Sequence, residues 1–288
     1  MPKPMSIQEF MQLFPDDDAC LKHLFDLRYG ADYECSKCGT VGKFHKLAKM
    51  PAYSCQDCGD HIHPMSGTFF YRSHTPLQKW FYAIYLFTTS RHGVPAKELQ
   101  RQLSVSYETA WRMGHEIRKY IGRVDGDPPI GGGGTHVEID ETMVGGKRPG
   151  KRGRGAAGKT IVLGMLERGG DVMTRVVADV RRATLEPHIL ANVKNGATVS
   201  TDELKSYATL ARRGYKHGSV NHGAEEWVRG AHHTQGIEGF WSLLKRSIRG
   251  THVHVSRKYL ANYLVEFEYR WNERASPETM FPKLLKGF

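Results

Sequence analysis

Three carboxylates and two cysteine pairs carry most of the chemistry that the sequence offers. Asp140 closes the apolar run Val137-Glu138-Ile139-Asp140-Glu141, and Asp202 closes Thr198-Val199-Ser200-Thr201-Asp202, so both sit where a strand ends. Strand-end carboxylates of this kind can converge on one sheet edge. Glu238 lies in the helical pattern Gln235-Gly236-Ile237-Glu238-Gly239-Phe240-Trp241-Ser242-Leu243-Leu244-Lys245, with Lys245 almost two turns further along the same face. Magnesium or manganese ions need hard oxygen ligands and open positions for phosphate oxygens and water, which three such carboxylates can provide, and that is the chemistry of phosphodiester attack. Taken singly, Asp140 reads equally well as an ordinary strand end, Asp202 as a helix N-cap, and Glu238 with Lys245 as a solvated face.

Cys35-x-x-Cys38 and Cys55-x-x-Cys58 are separated by sixteen residues, the spacing of a four-thiolate zinc ribbon. Residues 33–63 hold few aliphatic side chains, so a structural zinc would supply the folding energy that burial cannot. Four thiolates complete a tetrahedron, which leaves His61 and His63 as surface or DNA-facing residues, and Cys20 reads as a buried apolar residue in a helix. Lys43, His45, Lys46 and Lys49 form either a solvated basic face or a DNA contact.

The elements that must position these groups are legible from period and punctuation. Ser6 with Glu9 forms a capping box, and Asp16 to Asp18 cap a second helix through Leu21, Leu24 and Phe25. Pro76 opens a strongly apolar helix, and Ala96–Leu103 and Tyr107–Ile121 have helix-turn-helix spacing around Ser104-Val105-Ser106. On the second of these, Tyr107, Thr109, Arg112, His115 and Arg118 include candidates for a major groove, while Ala110, Trp111, Met113 and Ile117 pack inward. Gly126 to Gly134 is the clearest linker. Beyond it the pattern predicts a strand at His136–Glu141, a hairpin of Thr160–Glu167 with Asp171–Val180, and a helix near Ala183–Val193. A strand at Ala197–Thr201, a helix at Leu204–Arg213 and two closing helices at Thr234–Arg249 and Arg257–Asn272 follow. The expected class is α/β with a mixed sheet. We divide the chain into N-terminal helices (1–30), a zinc ribbon (31–72), a helix-turn-helix-like DNA-binding segment (73–125), a Gly/Pro linker (126–134) and a catalytic domain (135–288).

The 288 residues carry Lys+Arg 41 against Asp+Glu 30, a net charge of +11, which favours a polyanionic partner and makes nucleic acid the leading candidate. The longest apolar run, Trp80 to Phe87, is far short of the roughly 20 residues that span a bilayer, and no secretory signal opens the sequence. The expectation is a cytoplasmic, nucleoid-associated protein with no membrane contact. Gly153-Arg154-Gly155-Ala156-Ala157-Gly158-Lys159-Thr160 fits phosphate-loop and dinucleotide patterns, but a strand pattern follows it where those loops need a helix N-terminus. Lys147, Arg148, Lys151, Arg152 and Arg154 read instead as a basic arm on backbone phosphates.

With thirty-five residues between Asp202 and Glu238 and Lys245 seven after the latter, the segment resembles the catalytic core of DDE transposases of bacterial insertion sequences. Val-Glu-Ile-Asp-Glu-Thr around Asp140, Thr-Asp-Glu-Leu-Lys-Ser-Tyr around Asp202 and Ile-Glu-Gly-Phe-Trp-Ser-Leu-Leu-Lys-Arg around Glu238 are similar to the ISXO-like branch. Pro64 to Phe70 and Pro76 to Tyr85 resemble that branch's ribbon exit and following helix. The resemblance implies an RNase-H-like catalytic fold, two Mg2+ (or Mn2+) ions on Asp140, Asp202 and Glu238, and double-stranded DNA partners, namely terminal inverted repeats and target. It also implies movement of a DNA element, and we expect a homo-oligomer assembled on DNA. Where the branch often carries Asn three positions before the helical Glu, this chain has Gln235, one turn from Glu238 on the same helix face, so either could approach the metals, and Glu238 is the choice because its charge binds them better. In this picture water attacks the element end, the freed 3′-hydroxyl attacks target DNA, and Lys245 and Arg246 hold phosphate oxygens. A zinc-ribbon DNA-binding regulator, an inactive relic, and a nuclease that cuts without joining are the competing readings.

Overall fold

The computed structural model describes residues 3–145 and 159–288, so the basic arm and most of the Gly-rich motif at 153–160 lie outside the described residues. The chain forms two compact units, one built from Met1–Ser90, Val94–Tyr120 and Ser276–Phe288, the other from Arg91–Gly93 and Ile121–Ala275.

In the first unit, α1 (Ile7–Leu13) carries the expected capping box of Ser6 and Glu9, and α2 (Asp17–Arg28) is capped by the Asp16 side chain on the Ala19 N–H. A three-stranded antiparallel sheet follows, β1 (Phe44–Lys46), β2 (Tyr53–Cys55) and β3 (His61–Ile62). The Phe25 ring stacks on Tyr53 at 4.0 Å and fastens α2 to this sheet. Helix α3 (Leu77–Thr89) buries Trp80, Phe81 and Ile84. The pair α4 (Ala96–Leu103) and α5 (Tyr107–Asp125) turns at Ser104, which takes a left-handed conformation.

Ala110, Met113 and Ile117 pack inward as expected, and Tyr107 and Arg112 are exposed. His115 and Arg118 are withdrawn from the set of groove-facing candidates, because both are buried and the Arg118 guanidinium donates to the Val94 carbonyl at 2.9 Å.

The second unit is organised by a five-stranded mixed sheet. After the short β4 (Ile130–Gly131) come β5 (His136–Val144), β6 (Thr160–Glu167) and β7 (Val172–Val177), which pair antiparallel in sequence order. Helix α6 (Arg182–Asn192) then crosses, and β8 (Val193–Lys194) pairs with β4. β9 (Thr198–Thr201) lies parallel to β5, and β10 (Lys216–Ser219) parallel to β9, giving the spatial order β10-β9-β5-β6-β7. This mixed α/β arrangement is consistent with the RNase-H-like fold that the resemblance implies. Helices α7 (Gln235–Ser247) and α8 (Leu260–Asn272) complete the unit, and α9 (Met280–Lys286) belongs to the first.

Strand alternation divides the core. Val137, Ile139, Leu163 and Met165 join Leu185 and Ile189 of α6, whereas Val144, Val162 and Leu166 join Ile237, Phe240 and Trp241 of α7. The segment 204–213 is not the single helix its pattern predicts but two short 3-10 turns, Lys205–Tyr207 and Leu210–Arg213, ended by left-handed Gly214. Tyr207 and Leu210 are drawn from it into the sheet core.

Candidate metal centre

Asp140 and Asp202 meet because of strand register. β5 and β9 pair as far as Glu138 opposite Ser200, and two residues beyond stand Asp140, midway along β5, and Asp202, just past the end of β9. Glu141 joins them: one oxygen from each of Asp140, Glu141 and Asp202 falls within 4.8 Å of the other two. Each carboxylate is also held locally. Asp140 Oδ2 accepts the Trp241 indole N–H at 3.0 Å, Asp202 Oδ1 accepts the Leu204 N–H at 2.9 Å, and Glu141 Oε2 accepts the buried Tyr207 hydroxyl at 2.8 Å.

Burial, then Glu141 and Asp202, push the Asp140 carboxyl up to about 7. A carboxyl that resists ionisation for want of a counter-charge, with two further carboxylates in reach, fits a hard divalent cation, which would reverse that shift.

The structure does not bring Glu238 into this three-carboxylate group. It stands in the first turn of α7 with its side chain 44% exposed, and Oε1 accepts the Thr234 hydroxyl at 2.7 Å, 3.8 Å from His222 Nε2. Its helix is nonetheless fixed to the same strand. Trp241, one turn on, reaches Asp140, and Lys245, one turn beyond, feels opposing effects: burial lowers its pKa, Asp140 raises it, and Arg249 and Lys159 lower it. Gln235, at the first position of α7, is exposed.

A buried anchor that the sequence reading missed holds α7 in place. Glu138, with 0% exposure, accepts the Arg168 Nε–H at 2.7 Å and the Ile237 backbone N–H at 3.0 Å. Arg168 in turn donates to the carbonyls of Ala231 and His233, so the approach to the helix is gripped from β6's end. Gly164, opposite Asp140 on β6, leaves the room the indole needs; a Cβ there would come within 2.6 Å of the Trp241 ring.

In the ribbon, Cys35 Sγ lies 3.6 Å from Cys58 Sγ and Cys38 Sγ 3.6 Å from Cys55 Sγ. All four sulfurs fall within 4.8 Å of one another. Tetrahedral zinc with bonds of about 2.3 Å would set its sulfurs roughly 3.8 Å apart, so the donor set fits the ion. Each knuckle closes identically: Gly39 N–H donates to Cys35 O and Gly59 N–H to Cys55 O, with both glycines at φ +73°. His61 and His63 are exposed, and Cys20 is buried.

Residues 131–272 match the ISXO2-like transposase domain, and residues 15–61 match the transposase zinc-ribbon domain. A transposase-like protein of Haemophilus influenzae is 32% identical over 118 residues, 40% of this chain and 94% of that protein. The chain belongs to the ISXO2-like transposase family. An uncharacterised protein in the transposable element ISH50 of Halobacterium salinarum is 27% identical over 271 residues, covering 86% of this transposase and 88% of the relative. No solved structure matches. Membership makes this transposase a nucleic-acid-modifying protein with DNA as its partner, and no helix among the described residues is long and apolar enough to cross a membrane.

Proposed function

We propose that this transposase cuts DNA at the terminal inverted repeats of its insertion sequence and joins the freed 3′-hydroxyl to target DNA. The observation that carries the reading is the proximity of Asp140, on β5, and Asp202, directly after the parallel neighbour β9, with Glu141 in reach of both. Asp140, Asp202 and Glu238 are the ligands we assign to two Mg2+ or Mn2+ ions, Glu238 standing apart from the other two on the helix that Trp241 and Glu138 fasten to β5. Bound there, the ions would supply charge for the attacking and leaving oxygens. Lys245 holds a phosphate oxygen beside Asp140, and Arg246 a neighbouring one. Glu141 stays with Tyr207 as a support for the floor of the site.

The ribbon (31–72) takes a structural Zn2+ on Cys35, Cys38, Cys55 and Cys58. With the helical segment 73–125 it grips DNA through backbone phosphates and a groove. The catalytic domain (135–288) works in a homo-oligomer on DNA, in the cytoplasm at the nucleoid.

The test uses linear DNA carrying the inverted repeats that flank the gene, with magnesium. Wild type is expected to release 3′-hydroxyl ends and joined products, and Asp202→Asn to bind the ends without cutting them. Folded wild-type protein that binds but never cuts would favour a DNA-binding regulator, and cutting without joined product a nuclease.

A further inference from the structure

From Gly239 to Val265 the chain contains no Asp or Glu, against Lys245, Arg246, Arg249, Arg257 and Lys258. In the middle of this basic stretch the backbone takes an unusual course. Helix α7 runs out into one turn of π-helix, Ile248–His252, and Val253 follows at φ 63°, ψ −54°. The His254 N–H donates to the His252 carbonyl at 2.6 Å across it. This is a γ-turn of the strained hand, and a β-branched side chain is among the least suited to it.

The turn is held from both sides. The His252 ring packs edge-on against Tyr263 at 4.8 Å, and Val255 is buried with Ile248, Leu260 and Leu264. Between these two anchors Val253 is thrown outward and is 80% exposed. Glycine would relax the backbone there and forfeit almost no packing, so the strain serves nothing within the described fold.

Beside the turn lies a groove of about 390 Å³, lined by Lys245, Arg249 and His254 and walled by Met143 and Gly145 at the end of β5. The same strand carries Asp140 three residues before Met143, about 10 Å along it. An apolar side chain held rigidly above a cationic groove is the arrangement that parts stacked bases while flanking cations take the phosphates.

We infer that Val253 is a wedge that enters the base stack of bound double-stranded DNA next to the scissile bond. Lys245, Arg249 and Arg257 hold the backbone on either side. The inference rests on the reading of the chain as a DNA-cutting transposase and adds how the duplex is opened at its end.

The experiment walks 2-aminopurine, whose fluorescence rises when it is unstacked, through duplexes carrying the element ends. Wild type should raise the signal several-fold at one or two adjacent positions. Val253→Gly should abolish that rise and slow cleavage roughly tenfold, while DNA affinity changes by less than about threefold and the free protein melts no lower than wild type. Val253→Leu should restore the rise. A rise retained by Val253→Gly would overturn the wedge, as would wild type that binds and cuts with no rise at any position, which leaves the transposase reading intact. Wild type that neither binds nor cuts the ends would remove both.

Discussion

The indole N–H of Trp241 donates to Asp140 Oδ2 at 3.0 Å, tying helix α7 to the strand that carries the central carboxylate. Trp241→Phe keeps an aromatic side chain, though a smaller one, and removes the donor. Outer partners of this kind orient a ligand, and their loss typically costs about 10–100-fold in metal affinity. The magnesium concentration for half-maximal cleavage should therefore rise at least tenfold, with DNA binding unchanged. An unaltered magnesium titration would sever Trp241 from the site's chemistry.

Asp140 is crowded by Glu141 and Asp202 as well as buried. Asp140→Asn removes a carboxyl that ionises against burial and its neighbours only above about pH 7, so at pH 8 in chelator the variant should melt higher than wild type, by about 2–4 °C for each kcal/mol relieved. Magnesium should raise the melting temperature of wild type and leave the variant's unmoved. Equal magnesium shifts in the two proteins, read by calorimetry, would place the ion elsewhere.

Much of this was legible in the sequence, and the parts that were not have physical reasons. Asp202 was readable because a strand ends just before it, whereas Asp140 stands midway along β5, which continues through Met143 and Val144 past the end its pattern predicts. Glu141 was passed over because alternation sends neighbouring strand residues to opposite faces, and only the structure shows it held by Tyr207 while one oxygen still comes within reach of Asp140 and Asp202. Glu138 shows no partner near it in the sequence, because Arg168, which donates to it, lies thirty residues away. β10 escaped notice because Lys216-His217-Gly218-Ser219 has no apolar alternation, its place being set by parallel pairing with β9. His115 and Arg118 looked available because polar side chains on a helix usually face water, and here Arg118 satisfies a buried carbonyl.

The Glu138 anchor yields a stability prediction. Removing one partner of a buried ion pair strands the other's charge, at about 3–5 kcal/mol. Glu138→Ala should lower the unfolding free energy by that amount in urea melts, and cleavage should fall further than the residual folded fraction explains, since the Ile237 N–H loses its acceptor. A loss below about 1 kcal/mol would show that the pair is not closed in solution.

Glu268 carries a pH signature. Burial pushes its carboxyl up to about 8, against the hydrogen bonds from Thr174, and burial likewise takes Asp125 up to about 6. The unfolded chain releases the Glu268 proton near the ordinary carboxyl range while the folded chain keeps it, so stability falls as pH rises from there through about 8. Glu268→Gln should flatten this decline, its advantage over wild type growing between pH 5 and 8 in denaturant titrations. A constant difference across that window would refute the assignment.

Zinc removal should act on the ribbon alone at first. One zinc per chain is expected by elemental analysis, and Cys58→Ser or prolonged chelation should abolish it and expose residues 31–72 to protease. DNA binding should weaken with it. A chelated ribbon as protease-resistant as the loaded one would remove metal from its folding.

Gly164 and Trp241 share a single volume beside Asp140: one contributes no side chain so that the other can contribute the largest. Neither can drift alone in a working lineage, because a methyl at the first position expels the ring and a smaller ring at the second leaves a hole next to a charged oxygen. Among descendants of this sequence, changes at the two positions should therefore arrive together, and a laboratory selection started from Gly164→Ala should recover function through a smaller residue at 241 that still donates a hydrogen bond.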